Sequence, residues 1–440
     1  MDTAIQSSLS QLPHELLAKI FLHYLDPHYL ETVVHSKSCP TPNLPSPLLL
    51  GQICSTWRRV AHGTPKLWTS FSFGVKNEVM RGKVGHVSFA KAWLSRAQPY
   101  PLYVLLGIYT PLSHITYVIL PSADRLQAIR LHLPFPHFQS LVNLGSIALL
   151  ESVYLSVDVS HYGQEAALWP RRITAFTTAP RLRSVTFWCY RVGLFGCGVQ
   201  MPWSQLTKLH IREYHVSADA CCDAFLKCTN LVDCALDMHA WQHNFMTSPR
   251  IVVLPHLQKL DVTFRGPGHS FPFFQPLNLP ALKDLTVATS GGCVWSHEIF
   301  MEFTFRSSLD LEHLCIEKVT LYSDELLHFL PHMYSLVELE VELSWCIDDN
   351  LFDALYYRAM NGQHIVPQLK TLRIFGHTGG HIDDNGIANM IESRWWTDDA
   401  PRAVSRLQRV DVAFDDREID AVVRERLERC RREGLDLTLG

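Results

Sequence analysis

Twenty-three histidines and twelve cysteines give this 440-residue chain a large stock of nucleophiles, bases and metal ligands. Their spacing decides whether any of them can act together. His14-Glu15 and His297-Glu298 each start as a two-histidine zinc helix would, but Ala18 and Met301 stand where the second histidine is needed. Cys221-Cys222 with Cys228, and Cys189 with Cys197, lack zinc-ligand spacing. Gly193, Gly196 and Gly198 cluster after a strand-like segment with the wrong spacing for a dinucleotide turn, and read as a flexible insert. There is no Gly-x-Ser-x-Gly elbow and no Gly-x-x-x-x-Gly-Lys loop. The expectation is no catalytic residue, no metal and no cofactor.

Chemistry by contact remains, and the elements that would position it begin at the N-terminus. Leu16, Leu17, Ile20, Phe21 and Tyr24 recur at helical spacing after Pro13, which suits a first helical turn. Pro27 ends that helix. Leu49, Ile53, Trp57 and Val60 step by four, four and three, predicting one apolar stripe on a second helix, stopped by Gly63 and Pro65. Some fifty residues with so many large apolar side chains cannot bury them all among themselves, so part of this surface is expected to meet other protein.

The order Leu12-Pro13, Glu15, Ile20-Phe21, then Cys54-x-x-Trp57-Arg58-x-Val60-Ala61, then Leu67-Trp68 resembles the F-box. The departure is a Pro-rich insert at 26–47, longer than in many F-boxes and similar to inserts in fungal F-box proteins. The alternative is a helical N-terminal cap with a core tryptophan.

Downstream, His86 to Ala97 reads as a helix with Val87, Ala90, Trp93, Leu94 and Ala97 inward. One pattern then recurs: apolar, two residues, apolar, one residue, apolar. It starts at Leu126, Leu150, Leu182, Leu206, Leu231, Leu257, Leu282, Leu311, Leu336, Leu369 and Leu407, with a weaker instance at Leu102. Most intervals are 24 to 33 residues, the mark of a solenoid. The pattern resembles the leucine-rich repeat, one short strand and a helical or irregular return per unit, but lacks that family's asparagine: Tyr190, Tyr214, His239, Arg265 and Ser344 occupy such places. The competing fold, a doubly wound parallel sheet, would need longer helices and a Gly-rich first turn. A charged helix from Asp416 to Glu433, with Ile419, Val422, Val423 and Leu427 on one side, and a last alternating strand at Leu435, Leu437 and Leu439 read as a terminal cap.

The expected fold class is therefore α/β: a helical F-box domain at 1–75, a helical linker at 76–100 and a divergent repeat domain at 101–440. Net charge of −4 argues against a general nucleic-acid binder. The absence of a basic-then-apolar start and of any glycosylation sequon points to the cytoplasm or nucleus, with free thiols. Ala97 to Ala123 holds no Asp, Glu, Lys or Arg, yet Pro101 and Pro111 interrupt it; a buried strand, a turn and a short helix fit better than a membrane span.

An F-box followed by leucine-rich repeats is similar to substrate receptors of SCF ubiquitin ligases. That resemblance implies docking on the Skp adaptor, and through it on cullin and RING subunits, with a protein substrate held by the repeats. The adaptor face would involve Leu12, Pro13, Leu16, Ile20, Phe21, Leu49, Cys54, Trp57 and Val60. Alternatives are an adaptor-binding scaffold without ubiquitin transfer, or an enzyme with an unrecognised site. Within the repeats, residues between the apolar positions must point to the opposite face. Lys208, His210 and Arg212 then form a basic patch, and Glu338, Glu340 and Glu342 an acidic one five strands away, roughly 24 Å at the usual strand spacing. Trp188 is a further candidate on that face. Both patches read either as solvated surface or, because three like charges on one strand face repel each other and offer nothing to folding, as sites for a protein partner.

Overall fold

The computed structural model describes residues 12–25, 46–74, 86–134, 137–138, 140–141, 144–158, 173–189, 199–213, 218–239, 251–266, 271–290, 294–358, 364–378, 382–398, 402–414 and 417–440. The Pro-rich insert up to Pro45, the cluster Gly193, Gly196 and Gly198, and Cys197, Tyr190 and Tyr214 lie outside them. The chain is α/β and divides into two units, Met1–Leu206 and Thr207–Gly440.

In the first unit, helices α1 (His14–Leu25), α2 (Pro47–Ile53) and α3 (Ser55–His62) precede strand β1 (Ser70–Phe73). Helix α4 (His86–Arg96) follows, then β2 (Leu102–Leu106), β3 (Leu126–Pro134), β4 (Ser152–Asp158) and β5 (Ser184–Cys189). The five strands pair in parallel and in sequence order. Every expected inward position of β3 to β5 is buried: Leu126, Ile129 and Leu131, Val153 and Leu155, Val185 and Phe187. The charge-free stretch 97–123 forms β2 and all but the end of a run of helical turns over 112–125. Among the described residues no helix is long and apolar enough to cross a membrane.

Two expectations about this unit change. Leu49, Ile53, Trp57 and Val60 do not share one helix. The chain breaks at Cys54, which is extended (φ −157°, ψ 171°), and its Sγ accepts a hydrogen bond from Trp57 N at 3.4 Å to cap α3. Nor is residue 75 a packing boundary. β1 hydrogen-bonds β2 in parallel register, Ser70 opposite Tyr103. Helix α4 is no free linker: Trp93 Nε1 donates to the carbonyls of Trp68 (2.9 Å) and Ser70 (3.2 Å).

The second unit contains β6 (Lys208–Glu213), α5 (Ala218–Phe225), β7 (Asp233–His239), β8 (Val252–Val253), β9 (Lys259–Arg265), β10 (Leu277–Asn278) and β11 (Asp284–Thr289). It continues with α6 (His297–Ser307), β12 (His313–Val319), α7 (Ser323–Phe329), β13 (Glu338–Ile347), α8 (Asp349–Leu355) and β14 (Thr371–Thr378). The last elements are α9 (Asp384–Ser393), β15 (Arg409–Phe414), α10 (Ala421–Arg432) and β16 (Asp436–Leu439). β6, β7, β9, β11, β12, β13, β14, β15 and β16 form one run of parallel neighbours, while β8 and β10 pair separately. A strand thus occurs in every one of the eleven expected repeats across the two units. Among the described residues each connection carries at most one short α-helix or an irregular return, so successive strands of the run lie side by side.

The returns at the C-terminal end stack on one another, α7 on α8, α8 on α9 and α9 on α10. Aspartates tie them together. Asp348, Asp383 and Asp420 cap α8, α9 and α10 by accepting from Asn350, Asn385 and Val422 amides. The adjacent aspartates reach forward one repeat: Asp349 Oδ1 accepts from Asp383 N (2.9 Å), and Asp384 Oδ2 from Asp420 N (2.7 Å). This staircase supplies side-chain carboxylate acceptors for backbone N–H groups of the next unit. In the cap, Val423, Leu427 and Cys430 face inward while Val422 is 74% exposed, so Cys430 takes the place expected of Val422.

Candidate docking surfaces

The first surface lies on α1 and α2. Pro13 O accepts from Leu16 N and Leu17 N, which starts α1 one residue after the proline. The apolar residues of α1 then divide by angle. Leu17 and Phe21 point into the unit, where Phe21 packs on Trp57 with ring centroids 4.8 Å apart. Leu16, Ile20 and Tyr24, each one turn apart, point out at 44, 49 and 57% exposure. On α2 Leu50 is buried, while Leu49 and Ile53 are 50 and 61% exposed and Leu48 joins them. α1 and α2 touch, and Arg58 Nε of α3 holds the carbonyl of Gly51 in α2 at 2.7 Å. Six large apolar side chains on two adjoining helices exceed the scatter of single exposed residues normal for a protein surface.

Of the nine residues expected at an adaptor face, Pro13, Leu16, Ile20, Leu49 and Cys54 are exposed, and Leu12 and Trp57 are half-buried. Phe21 and Val60 are buried and can only support the face from beneath. Tyr24, Leu48 and Ile53 belong to the exposed set as well.

The second surface is one face of the second unit's parallel run. Lys208, Asp233, Lys259, Asp284, His313, Glu338, Thr371, Arg409 and Asp436 stand side by side in register along it. The next row is His210, Ala235, Asp261, Thr286, Cys315, Glu340, Arg373, Asp411 and Thr438. Lys208 and Glu338 are five strands apart, as expected. The charges are not unopposed, however. Lys208 Nζ is 2.8 Å from Asp233, and Lys259 pairs with Asp284. Arg265 pairs with Asp237. His313 lies 3.8 Å from Glu338, and Lys318 is 3.4 Å from Glu342. Arg373 bridges Glu340 (2.5 Å) and Asp411 (3.1 Å), and Arg409 reaches the same Asp411 at 2.8 Å.

Like charges on one strand therefore need no binding partner to account for them. The neighbouring strand supplies the counter-charge, and each such pair contributes about 0.2–1 kcal/mol to strand pairing. Burial alone would raise the Asp233 carboxyl, but hydrogen bonds from His210 and Lys208 and the lysine's charge outweigh it and hold the group well below the usual carboxylate range. Glu340 goes the other way: burial, with Glu317 and Glu338 beside it, raises its pKa despite Arg373. Four carboxylates of this face, Glu317, Glu338, Glu340 and Glu342, stand together on β12 and β13.

Trp188 sits in the first unit on β5. Its ring meets Tyr154 nearly edge-on at 6.1 Å, and Arg130 stacks over Tyr154 at 4.0 Å. Arg130 and Tyr154 are only 2 and 3% exposed, so Trp188 is the outer edge of a buried cation–aromatic cluster. Trp395 and Trp396, a packed helix end or a partner-binding patch on sequence grounds, are covered by Arg406 (5.3 Å) and Arg402 (4.2 Å), which favours the packed end. Among the described residues no group of histidine, cysteine and carboxylate side chains is placed to hold a metal ion. No family model matches the chain, and no curated protein is similar to it.

Proposed function

We propose that this protein is the substrate-recognition subunit of an SCF-type ubiquitin ligase. Residues 12–68 form an F-box that docks on the Skp adaptor through the exposed stripe of α1 and α2. The parallel strands from β2 onward are divergent leucine-rich repeats, and their polar face holds a protein substrate. The chain itself breaks no bond; it raises the local concentration of a target lysine near a charged conjugating enzyme. Such a role places it in the cytoplasm or nucleus.

The observation that carries the reading is the division of α1 and of α2 into a buried and an exposed apolar side. Folding accounts for Leu17, Phe21, Leu50 and Val60, but not for Leu16, Ile20, Tyr24, Leu49 and Ile53. Fully covering one such aliphatic side chain contributes about 1.5–3 kcal/mol, enough for several to support a stable complex. Titration with recombinant Skp adaptor tests this. Binding that falls by tenfold or more in Leu16→Asp/Leu49→Asp, which corresponds to about 1.4 kcal/mol or more, is expected; equal binding by that variant overturns the reading. Recruitment of cullin and RING subunits to the complex separates a ligase receptor from a scaffold that holds the adaptor alone.

A further inference from the structure

We infer that the apolar stripe of α1 and α2 is matched to a partner whose face is acidic, and that charge steers the two together. The inference rests on the adaptor reading and specifies the chemistry of its partner. The whole chain carries a net charge of −4. The N-terminal segments reverse the sign: residues 12–25 and 46–69 contain Lys19, Arg58, Arg59 and Lys66 against Glu15 alone, and of these cations Lys19 and Arg58 stand beside the stripe, while Lys66 lies over the Tyr100 ring. All four cations are exposed. Lys19 precedes Ile20 and lies one turn from Leu16. Arg58 is fastened to α2 through the Gly51 carbonyl, which holds its guanidinium beside the helix that carries Leu49 and Ile53. The result is an apolar centre with Lys19 and Arg58 as a positive rim beside it.

That pattern discriminates among occupants. A second copy of the chain docking by the same face would set Lys19 and Arg58 against their own kind, and like charges across an interface oppose it. A membrane surface would take a longer amphipathic helix lying in one plane, whereas α2 has seven residues, under two turns. An acidic protein surface with an apolar centre satisfies both parts.

The test uses the full chain and recombinant Skp adaptor, with association and dissociation rates measured across salt concentrations. The wild-type association rate should fall about tenfold between roughly 50 mM and roughly 500 mM sodium chloride, with dissociation little changed. Lys19→Glu/Arg58→Glu, checked for native circular dichroism and melting, should associate about tenfold more slowly at low salt and lose most of the salt dependence. Leu16→Asp/Leu49→Asp should lose binding at every salt. If the apolar variant loses binding while charge reversal leaves the rate unchanged, the docking reading stands and the charge inference is overturned. If the apolar variant binds like wild type, the docking reading itself is wrong, and the inference falls with it. Salt-sensitive co-sedimentation with vesicles of phosphatidylcholine and phosphatidylserine, abolished by charge reversal that spares adaptor binding, would assign the positive rim to a membrane and overturn it too.

Discussion

Trp68 and Trp93 meet edge to face with ring centroids 4.8 Å apart, and the indole of Trp93 donates to the backbone carbonyl of Trp68 at 2.9 Å. Trp68 in turn donates to Ala61 O of α3 at 2.8 Å, and Phe71 of β1 packs on Trp93 at 6.0 Å. The pair fastens the N-terminal helices to the sheet. Trp93→Ala should cost about 3–5 kcal/mol, as expected for a buried aromatic, in denaturant unfolding of the first unit. A repeat fragment beginning near residue 100 would lose β1 and α4 and expose an unpaired β2 edge. It should aggregate, whereas one beginning at residue 46 should give a cooperative melt by circular dichroism.

Neighbouring residues of α1 should behave in opposite ways. Phe21→Ala should destabilise the protein by about 3–5 kcal/mol, measured by urea unfolding. Ile20→Ala should change stability by less than about 0.5 kcal/mol, because Ile20 has little covering it. Only the second should weaken adaptor binding at a temperature where both are folded.

Acid should weaken the second unit through its ladder carboxylates. The folded-state pKa values of Asp233 and Asp411 are lowered, the effect of burial being outweighed by partners His210 and Lys208 for the one and Arg409, Thr438 and Arg373 for the other. A depressed carboxylate stabilises the fold fully above its unfolded pKa, near 4, and the contribution disappears as pH falls through the folded value. Stability should therefore be flat from neutral pH to about pH 5 and fall below about pH 4 as far as these two groups decide it. Asp233→Asn should make the acid limb shallower, read from urea midpoints across pH.

Arg394 is 1% exposed and gives its guanidinium to three carbonyls, Leu355 O (2.7 Å), Val366 O (3.1 Å) and Ile365 O (2.7 Å). Burial pushes its pKa down to about 10, so it stays charged at neutral pH. It closes the chain segments between α8 and β14. Arg394→Met leaves the three acceptors without that donor and should cost about 3 kcal/mol or more, seen as a lower thermal midpoint.

The aspartate staircase gives a smaller, separable effect. Asp349→Ala and Asp384→Ala each remove a bond to the next helix cap, and each should destabilise by about 1 kcal/mol in urea unfolding. Hydrogen exchange should rise first at the Asp383 and Asp420 amides, which those carboxylates hold.

The strand positions were legible in the sequence because an inward residue must be apolar wherever a strand is covered on one side. That requirement is local, and it marks Leu209 and Ile211 or Leu339 and Val341 without knowledge of their neighbours. The ladder was legible too, had the repeats been aligned: Lys208, Asp233, Lys259, Asp284, His313 and Glu338 each stand two residues after a repeat's first leucine. Read one strand at a time, Lys208 and Glu338 looked like isolated patches. The repeated Asp-Asp-Asn at 348–350 and 383–385 marks the staircase in the same way. Only the tertiary structure decided the rest. Leu16 and Leu17 are equally apolar, and which of them is covered depends on where Trp57 and α2 lie. The turn at Cys54 sends Ile53 outward and Val60 inward, although spacing alone puts them on one stripe. β1 joins the sheet because Trp68 and Trp93 bring α3 and α4 against it. Periodicity states that a side chain needs cover; the chain's path through space determines which one receives it.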